Sequence, residues 1–271
     1  MALFCGLLGA LVINLWAHLY AGLFEDPTLE IPLVVLLGSR GHTMLIEMRG
    51  HGQYKLLGRT IDDAAGEAFD KVARFLGLGY PGDPAIDAIA RTGDLQAISF
   101  PRAMLHDDFD FSFSGLKTSV INFVRNNPAT STADVVACFQ EAVVDVLVNK
   151  SRKTADLIGE TGLVLGGGVA ANSLLWERFM EMCESDGCRR LVPSWAMGTD
   201  DVAMIDSVAW YRLRSDGSTT LDSGTFSNLH FSLVYPSSFN ATMLDPGTRS
   251  QGLSDLLRKP LCLNRQSRCE S

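Results

Sequence analysis

The chain has 271 residues, 46% hydrophobic and 20% charged, which is enough to bury one large core or two lobes and excludes a disordered polypeptide. A formal net charge of -8 excludes a freestanding nucleic-acid binder that relies on overall basic charge; an RNA substrate would need basic partners or a local patch. The 6 cysteines, Cys5, Cys138, Cys183, Cys188, Cys262 and Cys269, form no C-x-x-C pair and read as reduced thiols.

Residues 1–24 are nearly all apolar, with Asn14 and His18 the strongly polar exceptions. The run matches a membrane span of about 20 residues. No Lys or Arg precedes it, so neither a signal-peptide n-region nor a positive-inside anchor is present, and a buried helix is the preferred reading. Residues 31–38, 43–50 and 53–60 are β-rich runs separated by glycine-containing turns, which predicts consecutive antiparallel strands. Residues 62–76 carry Ala65, Phe69, Val72 and Leu76 at helical spacing and end at Gly77, before a turn over 79–84. A second long helix is predicted over 133–158, with Val136, Phe139, Val143, Val146 and Leu147 in one stripe. Residues 163–168 read as a buried strand ending in a glycine loop, 171–184 as the helix after it, and 201–213 as a further helix. Beyond about residue 235 the chain lacks periodicity and reads as an irregular tail. The order of elements predicts an α/β lobe with helices covering a mixed sheet.

Several segments suit chemistry, each beside a plainer alternative. The turn Gly38-Ser39-Arg40-Gly41-His42-Thr43 could aim backbone N–H groups at an anion, or be an ordinary hairpin. Asp62, Asp63, Glu67 and Asp70 cluster carboxylates, which a solvated, N-terminally acidic helix would also explain; Glu67 and Lys71 form an i,i+4 pair. The run 166–173, GGGVAANS, places glycines before a helix start, a geometry that admits a nucleotide. Taken alone, His18 is a buried helix histidine and Asp200 a helix cap.

Three stretches go further: TIDDAAGEAFDKVARFLGLGYPGDP at 60–84, FDFSFSGLKTSV at 109–120 and LVLGGGVAANSLLWERF at 163–179. Together they resemble the bacterial and organellar tRNA threonylcarbamoyladenosine transferases, the TsaD family, over about residues 15–234. The resemblance implies the α/β fold shared by actin, sugar kinases and heat-shock chaperone ATPases (ASKHA), in which two lobes enclose a nucleotide cleft. It divides the chain into a hydrophobic helix remnant (1–27), a TsaD-like α/β region (28–234) and a divergent tail (235–271). Family members carry about a hundred residues, an ordinary domain's length, before the metal helix, so the first lobe is expected to be incomplete here.

The resemblance also implies site residues. Leu37, Gly38, Ser39, Arg40 and Gly41 form the substrate loop, with Arg40 where the family has glycine. Asp70 would bind the adenylate ribose; Asp83 stands in place of a glycine of Y-P-G-G-P; Asp87 and Asn172 would contact the adenylate. His18 and Asp200 would hold one divalent metal, iron or zinc, with Asn14 replacing the first histidine of H-x-x-x-H. The implied reaction transfers threonylcarbamoyl from threonylcarbamoyl-AMP to an adenosine beside the tRNA anticodon. TsaB-like and TsaE-like subunits, a homo- or hetero-dimer and a cytoplasmic location are implied with it. The alternative is a catalytically degenerate homologue serving as a nucleotide-binding or dimerisation module, favoured by Asn14, Arg40 and Asp83.

Overall fold

The computed structural model describes residues 31–51, 53–159, 162–187 and 189–191, together with Ala209. Five strands, β1 (Leu33–Gly38), β2 (Thr43–Gly50), β3 (Gln53–Arg59), β4 (Gly162–Gly166) and β5 (Arg189–Leu191), form one mixed sheet in the order β3-β2-β1-β4-β5. The first three are the expected antiparallel meander, with Leu36 opposite Leu45 and Val35 opposite Ile46. β4 joins β1 in parallel, Leu36 lying beside Leu165. All six positions of β1 are buried, so its uninterrupted apolar run marks a central strand covered on both faces rather than a half-solvated one. The strand begins at Leu33 instead of residue 31; Pro32 has no N–H to give to a ladder.

The helices are α1 (Ala65–Phe75), α2 (Gly82–Ala90), α3 (Ser114–Asn126), α4 (Thr132–Ile158) and α5 (Ser173–Asp186), with a 3-10 turn over Gly168–Ala171. In α1, Ala65, Ala68, Phe69, Val72 and Ala73 make one buried stripe. Gly77 then adopts φ 72°, and the Leu78 and Gly77 N–H groups donate to the carbonyls of Ala73 and Arg74 at 2.9 and 3.2 Å, closing the last turn as a Schellman motif. The helix starts three residues later than its acidic sequence suggests, because Asp62 and Asp63 are engaged elsewhere. The long helix α4 buries its whole anticipated stripe, Val136, Phe139, Val143, Val146 and Leu147. Phe139 meets Phe69 edge to face at 5.2 Å between ring centroids, and α4 packs against α2, α5 and β1.

Two helices depart from expectation. α2 occupies what reads as the end of a turn, since Gly82, Asp83 and Pro84 are turn formers that here make a first helical turn, where proline's missing N–H does no harm. α3 shows little periodicity: Leu116 and Val120 are its only fully buried residues. Of the helix expected over 201–213, only Ala209 is described, helical and buried. Residues 1–27 and the tail from 235 lie outside the described residues. Among those described, no helix is long and apolar enough to cross a membrane.

The ends of β1 and β4 meet closely. Gly167, just past β4, has φ 83°, and a Cβ there would stand 2.9 Å from the Gly38 carbonyl carbon and nearer still to its oxygen. Gly167→Ala is therefore expected to lower unfolding free energy by about 3 kcal/mol or more, through backbone strain and a clash together. By contrast Gly115→Ala, within α3 and facing open space, should raise it by roughly 0.5–1 kcal/mol. Urea unfolding of the two variants checks both signs.

Candidate functional site

Three segments distant in sequence converge at the β1/β4 end of the sheet. The first is the turn between β1 and β2, closed by the Ser39 N–H donating to the His42 carbonyl at 2.7 Å and the His42 N–H donating to Ser39 Oγ at 3.1 Å. Leu37 and Gly38 are buried at the end of β1, Ser39 is half-buried, and Arg40 and Gly41 are exposed. The start of α1 backs directly onto this turn: a Cβ on Gly66 would lie 2.8 Å from both Arg40 Cα and the Ser39 carbonyl oxygen. Among described non-glycine residues Met104 alone has positive φ, so the backbone at Arg40 does not require a glycine.

The Arg40 side chain turns towards the second segment. Its Nε donates to Asp70 Oδ2 at 2.9 Å, and its guanidinium lies 4.7 Å from the Tyr80 ring centroid, cation over π face. The other oxygen of Asp70 accepts the Gly82 N–H at 2.8 Å. That bond fixes the start of α2, where Gly82 comes so close to α1 that a Cβ would lie 2.6 Å from Asp70 Cα.

Asp83 and Asp87 connect α2 to the third segment, the 166–173 loop. Asn172 is 2% exposed; its Nδ2 donates to Asp83 Oδ1 at 2.6 Å while its Oδ1 accepts the Leu175 N–H at 3.1 Å, capping α5. Asp87 is 6% exposed, and its Oδ1 accepts from Ser173 Oγ at 2.6 Å, the Ser173 N–H at 3.3 Å and Gln140 Nε2 at 3.2 Å. Its Oδ2 takes Arg91 at 3.2 Å. Asn172 and Asp87 thus join α2 to α5 and hold the site's walls in register. Burial pushes the half-buried Asp83 carboxyl up to about 7; the Asn172 amide opposes the rise, and the carboxylates of Asp87 and Asp70 add to it.

Asp62 and Asp63 precede α1 and engage other elements. Asp62 accepts from Ser112 Oγ at 2.6 Å and from the Phe113 and Ser114 N–H groups at 2.9 and 3.4 Å, capping α3 from 50 residues away. Asp63 is 8% exposed between Lys71 at 2.6 Å and Lys117 at 2.8 Å, and despite the opposing desolvation these lysines hold its carboxyl below the usual carboxylate range. The Glu67–Lys71 pair is present at 2.9 Å. Sequence reasoning passed over Tyr80, Arg91, Gln140 and Ser173. For Ser173 a signal existed, since it directly follows Asn172 at a helix start; for Gln140, buried within α4, there was none.

His18, Asn14 and Asp200 lie outside the described residues, and among the described ones no group of three or more His, Cys, Asp or Glu is arranged to hold a metal ion. The fully described thiols, Cys138 and Cys183, are buried.

With this geometry in view, the family model for tRNA N6-adenosine threonylcarbamoyltransferase (TsaD) matches residues 10–207. The chain belongs to this family. Proteins of that name from Symbiobacterium thermophilum and Clostridium botulinum are 48% and 43% identical to it, over 78% and 80% of this chain. One from Clostridium perfringens is 44% identical over 74%. The aligned stretch covers 63%, 66% and 61% of these relatives, so the chain spans a little under two thirds of the length of the curated relatives it matches. Among solved structures, full-length HypF in a phosphate- and nucleotide-bound form superposes with TM-score 0.60 at 10% identity, covering 76% of this chain and 43% of that one. HypF from T. kodakarensis gives 0.59 at 14% identity, covering 75% and 36%. At such identities the likeness shows the fold alone, the ASKHA-type α/β fold expected for the TsaD family.

The raised Asp83 carboxyl has a signed consequence. Folded protein holds its proton up to about pH 7 whereas the unfolded chain releases it near 3.8. Asp83 therefore costs stability progressively as pH rises between these values and by a constant amount above them. Asp83→Asn should match the parent near pH 4 and exceed it above pH 7 by on the order of 1–3 kcal/mol, read from urea unfolding at both pH values.

Proposed function

We propose that the chain is a tRNA N6-adenosine threonylcarbamoyltransferase, acting on threonylcarbamoyl-AMP and on the adenosine adjacent to the tRNA anticodon. The exocyclic amine attacks the carbamoyl carbon, a C–N bond forms, the C–O bond to the phosphate breaks, and AMP leaves with the amine proton lost to solvent. The observation carrying this reading is the convergence of the 38–43 turn, the Asp70–Asp87 region and the 166–173 loop on one rim. Asp70 is the ribose ligand. Its two existing bonds leave acceptor capacity for a hydroxyl, because a carboxylate offers about four lone-pair sites. Asp83, Asp87 and Asn172 brace the rim between α2 and α5, keeping the donor aligned. The proposed step uses no covalent nucleophile on the protein; acceleration comes from orienting two reactants and from electrostatic complementarity to the departing phosphate.

The reading includes one divalent cation, iron or zinc, on His18 and Asp200 with Asn14 as third donor; when bound it would polarise the carbamoyl oxygen as a Lewis acid. One imidazole, one carboxylate and one amide make a weaker donor set for these metals than two imidazoles and a carboxylate. Asn14→His is accordingly expected to tighten zinc binding by about tenfold or more, and His18→Ala to weaken it, both measured by equilibrium dialysis. The net charge of -8 leaves the tRNA backbone to basic partners. The reading also includes TsaB-like and TsaE-like subunits, a homo- or hetero-dimer contact and a cytoplasmic location.

The deciding assay supplies tRNA, threonylcarbamoyl-AMP, metal and those subunits to the full chain. Modified adenosine is expected with the parent, and at least a hundredfold less (~3 kcal/mol) with Asp70→Ala. Folded protein yielding no modified tRNA in the complete mixture would overturn the proposal.

A further inference from the structure

We infer that Arg40 is a specificity-determining residue that binds the phosphoryl group of the adenylate, an inference that rests on the nucleotide reading above. Its side chain is 61% exposed yet held at two points, by Asp70 Oδ2 through Nε and by the face of Tyr80. A guanidinium carries five N–H donors in a rigid fork. Here one nitrogen is used, and the two terminal amino groups make no hydrogen bond among the described residues. A long, flexible side chain has thus been fixed in advance with a bidentate edge open to solvent, the arrangement that lowers the entropic cost of gripping an oxyanion.

Charge points the same way. The rim gathers the carboxyl groups of Asp70, Asp83 and Asp87, and an adenylate phosphoryl placed beside the ionised ones would be repelled. The other cations nearby are committed: Arg91 to Asp87, Lys71 to Asp63 and Glu67, and Lys117 to Asp63. Arg40 can therefore serve as the local counter-charge. Because Asp70 both orients Arg40 and offers its remaining lone pairs to ribose, one carboxylate would set the spacing between the ribose and phosphoryl contacts of a single nucleotide.

The test is calorimetric titration of the full chain with AMP and, separately, with adenosine, for the parent, Arg40→Ala, Arg40→Lys and Asp70→Asn. Arg40→Ala should weaken AMP by about 10–100-fold while leaving adenosine within about twofold, as expected for loss of a charge-assisted bidentate contact. Lysine should restore part of the AMP affinity, because it keeps the charge but not the fork. Unchanged AMP binding in Arg40→Ala, with adenosine weakened in Asp70→Asn, would overturn the role of Arg40 while leaving the nucleotide site standing. Tighter binding of both ligands by Arg40→Ala would overturn it too, showing a side chain that plugs the ribose position. A folded parent that binds neither ligand would overturn the nucleotide site and this inference together.

Discussion

The architecture of the rim depends on one backbone contact, the approach of Gly167 to the Gly38 carbonyl. Parallel pairing brings the ends of β1 and β4 side by side, but pairing alone would leave their loops a side chain apart. With hydrogen in place of Cβ at 167, the loop entering α5 and the turn leaving β1 share one surface. Val169 then sits over Gly38, where a Cβ would come within 3.0 Å of the valine Cβ. The 38–43 turn and the 166–173 loop both set out from this junction.

Around it, the acidic residues divide into distinct roles according to what surrounds them. Asp63 is buried and ionised because two ammonium groups repay its desolvation. Asp87 is buried and linked to four donors from α2, α4 and α5, so it acts as a rivet between helices. Asp83 has one amide partner and two carboxylate neighbours, and its charge varies near neutral pH. Asp70 accepts from the Arg40 Nε and the Gly82 N–H, one on each oxygen, and retains acceptor capacity. Residue type is the same in all four cases; the kind and placement of the groups within reach differ.

Much of this was legible in the chain because it rests on local patterns. The meander follows from three apolar runs and their turns, and the buried stripe of α4 follows from a 3.6-residue period, as Val136, Phe139 and Val143 demonstrate. The roles of Asp62 and Asp63 were not legible. Acids at a helix start have a sufficient local explanation in the helix dipole, whereas their partners, Ser112 to Lys117, lie fifty residues on. Likewise Arg40 reads as damage to a glycine turn, until its backbone is seen to avoid the left-handed region and its side chain to reach Asp70. Local propensity misjudged α2 as well, since Gly, Asp and Pro favour turns and helix first turns alike.

The start of α1 carries a last consequence. Its N-cap residue, Ala64, offers no side-chain acceptor, and the Ala65 N–H is met instead by the fully buried hydroxyl of Thr43 at 2.9 Å, 22 residues earlier and on another element. A helix is often capped from within its own sequence; this one takes its cap from β2. The first turn of α1 is thereby tied to β2, so losing the Thr43 hydroxyl would loosen the start of the helix that carries Asp70.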